Sequence, residues 1–274
     1  MTAFTMGPAI LFCPADRPDR YAKALERADA VIIDLEDAVA PGNRAAARAA
    51  LIEHPQDPER TIVRVNPVGS PDFAADLEAL DSTHYRTVML AKTESAADVD
   101  ALGGYSVVAL CETALGVLNA AQIAAAPHVA ALMWGAEDLI ASLGGSSSRT
   151  EGGSYRDVAL HARSQVLLAA GAHGKVAIDS VYLDIADHAG LLAESLDAQS
   201  SGFGAKASIH PGQMPMIRQA FTPPPEQVER AVRILAAAEK ELGVFAFEGQ
   251  MVDEPLLRHA RRILSRAAGT TFRG

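Results

Sequence analysis

The chain has 274 residues, 49% of them hydrophobic and 21% charged, and a formal net charge of −10. That balance excludes a disordered chain, and the excess of acid argues against a nucleic-acid partner, whose phosphates must be neutralised by Lys and Arg. No apolar segment approaches the ~20 residues of a transmembrane helix, and the opening MTAFTMGPAI lacks the basic start of a signal peptide, so a cytoplasmic protein with no membrane partner is expected.

Eight short apolar runs follow one another along the chain, each separated from the next by a helical stretch. Ala9 to Cys13 leads to Asp16 and Arg17, then to Pro18 to Ala28, which opens with a proline suited to a first helical turn. Val31 to Ile33 runs into Asp34, Glu36 and Asp37, and Pro41-Gly42-Asn43 signals a turn before the alanine-rich Arg44 to Ile52. Thr61 to Val63 is followed by Arg64 and a helix over Asp72 to Leu80; Thr87 to Leu90 is followed by Lys92 and a helix over Ser95 to Leu102. Val107 to Cys111 stops at Glu112, before Leu115 to Ala126, and Val129 to Trp134 stops before Glu137 and Asp138. The connection after it is the longest, with Leu139 to Leu143, a glycine–serine stretch Gly144 to Ser148 read as a solvated loop or a phosphate cradle, and Tyr155 to Ala170. Val176 to Ile178 with Asp179, Asp187 to Ser200, Ala205 to Ile209 with His210, and Pro211 to Ala220 complete the series.

Continuous apolar character marks strands buried on both faces, and eight of them alternating with helices read as an α/β chain folded into a (β/α)8 TIM barrel over residues 1–221. The length suits that fold, for which about 250 residues is typical. Residues 222–274 lie outside the count. Thr222 to Pro225 is a stiff break, followed by a helix over Glu226 to Leu242, an irregular stretch Gly243 to Val252, and a helix over Pro255 to Ala268. This C-terminal helical extension is read as a lid or an inter-subunit cap. Cys13 and Cys111, at two strand ends, are expected to be buried thiols and not a disulfide.

In a barrel the polar followers share one rim, where catalytic groups sit. Glu112 and Asp138 then approach each other from adjacent strand ends. Two oxygen donors without a His or Cys cluster suit a hard ion, Mg²⁺ above all; the alternative is that each caps the helix after it. Asp37 or Glu36 is placed to orient Arg64 or to meet a metal-bound water, Lys92 to pair with these carboxylates, and His210 to serve structure.

Several motifs occur in order from about Leu11 to Leu264: Leu11-Phe12-Cys13-Pro14-Ala15-Asp16-Arg17-Pro18, Asp34-Leu35-Glu36-Asp37-Ala38-Val39, Arg64-Val65-Asn66, Glu112-Thr113-Ala114, Gly135-Ala136-Glu137-Asp138-Leu139, Ile209-His210-Pro211 and Gly249-Gln250-Met251-Val252-Asp253. Together they resemble the citrate lyase beta-subunit-like branch of the HpcH/HpaI aldolase/citrate lyase family. The resemblance implies a Mg²⁺-dependent carbon–carbon lyase that splits a 3-hydroxyacyl-CoA, such as citramalyl- or malyl-CoA, into acetyl-CoA and a 2-oxo acid. By the same likeness Glu112 and Asp138 hold the metal, and Arg64 and Glu112 meet the substrate oxygens. Pro14, Ala15 and Arg17 meet the acyl-CoA, and the backbone around Ala136 and Glu137 meets the 2-oxo acid carboxylate. Asp253 is implied to exchange the proton with the enolate carbon from over a neighbouring subunit's site, in a homo-oligomer that is a trimer or hexamer; an N-cap is its other reading. Four arginines of the last helix, Arg258, Arg261, Arg262 and Arg266, either reach CoA phosphates or form a solvated face. A malate synthase-type condensation with thioester hydrolysis, the beta subunit of a multi-subunit citrate lyase and a non-catalytic acyl-CoA-binding scaffold stay open as alternatives.

Overall fold

The computed structural model describes residues 4–241 and 243–268. The expected helix end at Leu242, the first three residues of the opening segment and the residues after Ala268 lie outside them.

Eight parallel strands close into a barrel: β1 (Ala9–Pro14), β2 (Ala30–Asp34), β3 (Thr61–Val65), β4 (Thr87–Leu90), β5 (Ser106–Cys111), β6 (Val129–Trp134), β7 (Val176–Asp179) and β8 (Ala205–Ser208), paired in chain order with β8 returning to β1. Around them run α1 (Tyr21–Arg27), α2 (Arg44–Glu53), α3 (Phe73–Asp81), α4 (Ala96–Asp100), α5 (Ala114–Leu118), α6 (Ala120–Ala125), α7 (Ala136–Ser142), α8 (Asp157–Ala172), α9 (His188–Ser201) and α10 (Met214–Phe221). None of the helices among the described residues is long and apolar enough to cross a membrane.

Successive strand residues point alternately inward and outward, and both sides are covered, which is why the strands read as unbroken apolar runs. Ile10, Ile32, Ile62, Met89, Leu110 and Ile178 fill the barrel, while Leu11, Ile33, Val63, Leu90 and Trp134 pack outward against Tyr21, Leu51, Leu80 and Val166 of the helices. Each such side chain, once fully buried, contributes about 1.5–3 kcal/mol. Cys13 and Cys111 are free and buried, and burial pushes the Cys111 thiol up to about 12.

Four strands run one or two residues further than their apolar runs, β1 to Pro14 and three others into charge. Asp34 and Asp179 close β2 and β7, and Arg64 lies inside β3. Charge can occupy a buried strand end where an opposite charge is in register beside it, and Asp34 pairs directly with Arg64 across β2 and β3. The single helix expected over Leu115 to Ala126 is broken at Asn119, whose side-chain amide donates to the Glu94 carbonyl (2.9 Å).

The irregular stretch expected before Val252 contains an antiparallel hairpin, β9 (Phe245–Phe247) and β10 (Gln250–Val252), between α11 (Pro225–Ala238) and α12 (Glu254–Ala267). Its two-residue turn, Glu248-Gly249, has φ of +48° and +77°, the positive pair that tight hairpins use. α11, the hairpin and α12 share a small core of Ala231, Ile234, Val252, Ala260 and Ile263, separate from that of the barrel.

Candidate active site

The carboxyl ends of β2 to β6 bring five carboxylates and two cations to one side of the barrel mouth. Arg64 is 8% exposed and held in one plane: its Nε and Nη2 donate to the two oxygens of Asp34 (2.7 and 2.6 Å), and Nη1 lies 3.1 Å from Glu36 Oε2. Phe12 of β1 covers its face, with the guanidinium carbon 4.9 Å from the ring centroid. Burial works against the charged guanidinium, but Asp34 and then Glu36 more than offset it, so Arg64 stays protonated at any working pH. Of the two residues expected to orient Arg64, Glu36 does so, and Asp34 takes the place of Asp37. Asp37 is exposed, and its carboxylate accepts from Lys92 Nζ (3.0 Å). Partial burial would raise its pKa, but the Lys92 bond holds it below the usual carboxylate range.

Glu112, one residue beyond β5, is 2% exposed, and its Oε1 accepts the backbone N–H of Lys92 (3.2 Å). Burial, then the charge of Asp138, push its carboxyl up to about 8, against the pull of Arg64 and Lys92. Asp138 sits in the first turn of α7 and is partly exposed. Gly135, at the turn into α7, packs directly against Glu112: a Cβ there would stand 2.6 Å from Glu112 Oε2. Lys92 reaches into this group from β4. Its Nζ donates to Glu36 and Asp37 and lies 3.6 Å from Asp138 and 4.0 Å from Glu112.

These residues fit a hard divalent ion. The donors are carboxylate oxygens, and that of Glu112 is buried with its charge poorly compensated; Glu36 Oε2 beside them makes no hydrogen bond and is held by the Arg64 ion pair (3.1 Å). No group of three or more His, Cys, Asp or Glu that could hold a metal occurs among the described residues. Two carboxylates leave the remaining positions to water and substrate, as Mg²⁺ prefers.

The other expected residues are spread around this centre. Pro14 ends β1, Ala15 follows with its N–H on the Asp34 carbonyl (2.9 Å), and Arg17 is exposed and paired with Asp19 (3.2 Å). Ala136 and Glu137 open α7, and Glu137 accepts the hydroxyl of Ser148 (2.5 Å). That bond, and the Arg149–Tyr155 bridge behind it, anchor the far end of the glycine–serine loop: Ser148 is 2% exposed, while Gly144 to Ser147 are exposed, as a solvated loop would be. His210 accepts the Gly212 N–H at Nδ1 (3.1 Å) and caps the turn after β8. Asp253 caps α12, accepting from Leu256 N (3.2 Å), and Arg261 pairs with Glu254 (2.9 Å).

Asp179, a strand-end residue expected on the rim, is instead turned away from the mouth, because its carboxylate is held in a charged cluster between strands and helices. Outside the barrel, Asp179 accepts from Trp134 Nε1 (2.8 Å), Arg163 Nε (3.0 Å) and Lys206 Nζ (2.8 Å), and Lys206 also donates to Glu194 (3.0 Å), which accepts from Arg149 (2.7 Å). Burial would raise the Asp179 carboxyl, but Lys206 and Arg163 hold it below the usual range. Besides Asp179 itself, the sequence signalled this cluster through Lys206, a lysine inside an otherwise apolar strand.

Residues 9–211 match the family model described as HpcH/HpaI aldolase/citrate lyase. The chain is 57% identical over 265 residues to the citrate lyase subunit beta-like protein of Mycobacterium tuberculosis, covering 97% of each. It superposes with a TM-score of 0.92 on the crystal structure of CitE from that organism in complex with magnesium, acetoacetate and coenzyme A, at 56% identity, over 97% of this chain and 99% of that one. It is 36% identical to a (3S)-malyl-CoA thioesterase of Cereibacter sphaeroides, over 94% of each chain, and 31% identical to the human mitochondrial citramalyl-CoA lyase, over 94% of this chain and 85% of that one.

Proposed function

The chain belongs to the HpcH/HpaI aldolase/citrate lyase family, and from that premise we propose that it is a Mg²⁺-dependent lyase cleaving a 3-hydroxyacyl-CoA of the citramalyl- or malyl-CoA kind to acetyl-CoA and a 2-oxo acid. The observation that carries this reading is Glu112 and Asp138 converging beside an arginine whose orientation is fixed by Asp34 and Glu36.

Cleavage breaks the C2–C3 bond. Its electron pair passes to C2 as the enolate of acetyl-CoA, the C3 hydroxyl loses its proton as it becomes the carbonyl of the 2-oxo acid, and C2 takes up a proton. When bound, a magnesium ion held by Glu112 and Asp138 supplies Lewis-acid charge to the substrate oxygens. Arg64, committed on one edge to Asp34, stabilises negative charge on the C3 oxygen without having to reorganise. Asp37 supports the site through Lys92. Pro14, Ala15 and Arg17 line the approach of the acyl-CoA, and the start of α7 at Ala136 and Glu137 takes the 2-oxo acid carboxylate. Asp253 protonates C2 from a neighbouring subunit, so residues 222–274 act as an inter-subunit cap and the working form is a homo-oligomer, a trimer or hexamer. The thioesterase relative favours a second activity at the same site, hydrolysis of the thioester after condensation.

Thermal unfolding tests the site. A 2-oxo acid such as pyruvate is expected to raise the Tm only with Mg²⁺ present, by the equivalent of about 2.7 kcal/mol at a hundredfold excess over its Kd, and to lose that effect in Glu112→Gln. Stabilisation without Mg²⁺, or undiminished in the variant, contradicts the assignment.

A further inference from the structure

Lys92 is one of only two non-glycine residues with positive φ among the described residues, at +48°. A lysine gains nothing locally from that conformation, which asparagine tolerates and longer side chains avoid. Such strain persists where the surroundings fix it and tends to mark sites with a task. The conformation serves two contacts at once. The backbone N–H points back to Glu112 Oε1 (3.2 Å), and the side chain crosses the mouth of the barrel to the carboxylates that follow β2.

The ammonium thereby faces four carboxylates from three connections: Glu36 and Asp37 after β2, Glu112 after β5 and Asp138 in α7. The other cation, Arg64, is engaged by Asp34 and Glu36. Lys92 is thus the ammonium poised against the Glu112–Asp138 pair, close to both yet bonded to neither. Its donor bonds go to Glu36 and Asp37 instead.

We propose that Lys92 is a built-in counter-cation of the acidic rim, which competes with a divalent ion for the field of Glu112 and Asp138 and so sets how tightly the site holds metal. This rests on the reading of those two residues as the metal pair. Without an ion, Lys92 limits the repulsion among the rim carboxylates. With one, the ammonium stays on Glu36 and Asp37 and repels the second positive charge. A site arranged in this way exchanges metal more readily than the same carboxylates would alone.

The test is calorimetric titration of Mg²⁺ into chelator-stripped protein, comparing wild type with Lys92→Asn, which suits the left-handed backbone and removes the charge, and Lys92→Arg, which keeps it. Removing a unit charge about 4 Å from the ligands is expected to tighten Mg²⁺ binding about tenfold or more, while the arginine variant stays within about threefold of wild type. If the asparagine variant does not stay folded when stripped, its affinity is read from the dependence of Tm on Mg²⁺ concentration. Equal or weaker binding by Lys92→Asn overturns the inference. A purely structural lysine would move the Tm and leave the affinity where it was. Should wild type take up no Mg²⁺, or as much after Glu112→Gln, the metal-pair reading itself fails and takes this inference with it. If uptake depends on Glu112 and only the Lys92 substitution is silent, the counter-cation role alone fails.

Discussion

A carboxylate as deeply buried as that of Glu112 is stable either as a neutral acid or beside a cation. In metal-free protein burial, then Asp138, push it up to about 8 from an ordinary 4.5, so between those values the folded chain holds a proton that the unfolded chain has released. The associated stability is fully present below about pH 4.5 and is lost as the pH rises through 8. With a chelator present, denaturant unfolding of wild type is therefore expected to weaken by on the order of a few kcal/mol between pH 5 and 9. Glu112→Gln should abolish most of that slope and be the more stable protein at pH 9. A flat wild-type profile would contradict the picture of an uncompensated buried acid. Arg64 and Glu112 stood out in the sequence because each interrupts or closes an apolar run, and Asp138 because it opens the helix after one; a barrel displays such side chains to its mouth. Asp34 closes such a run too, but its pairing with Arg64 depends on strand register, which the runs do not encode; they point to Asp37 or Glu36 as the orienting group, and of these Glu36 meets Arg64.

Between β6 and α7 a single glycine lets the turn that carries Asp138 pack directly against Glu112. A Cβ at position 135 would stand 2.8 Å from Glu112 Cβ and closer still to its Oε2, and buried Glu112 has little room to yield. Gly135→Ala is expected to fold but to weaken Mg²⁺ binding at least tenfold and to lower turnover about a hundredfold, measured by titration calorimetry and steady-state kinetics. Unchanged metal affinity would mean that the carboxylates need not be held against this turn. Long, continuously apolar strands and alanine-rich helices could be read directly. The β9–β10 hairpin could not, because its strands have three residues each and Glu-Gly stands where Asn-Gly or Asp-Gly would have announced the turn. The Asp179–Lys206–Glu194 cluster was equally hidden, since it joins residues from β7, β8 and α9 that only the closed barrel brings together.

Taken whole, the molecule is a barrel with its chemistry at one mouth and a second, smaller core of α11, hairpin and α12 beyond it. The barrel was legible from the repeated strand–helix alternation, and the family from motifs spread over nearly the whole chain. What the tail does was not, because Asp253 serves α12 as an N-cap within its own chain, and a role over a neighbour's site depends on an assembly that one chain does not contain. These residues together are proposed to cleave the C2–C3 bond of a 3-hydroxyacyl-CoA without help from another protein. The most direct measurement is acetyl-CoA release by the purified chain with Mg²⁺ from citramalyl-, malyl-, citryl- and 3-hydroxy-3-methylglutaryl-CoA, run beside Glu112→Gln. Release of acetyl-CoA with at least one of these substrates, lost on chelation and in the variant, is the predicted result; no release from any of them, or release that survives in Glu112→Gln, would contradict it.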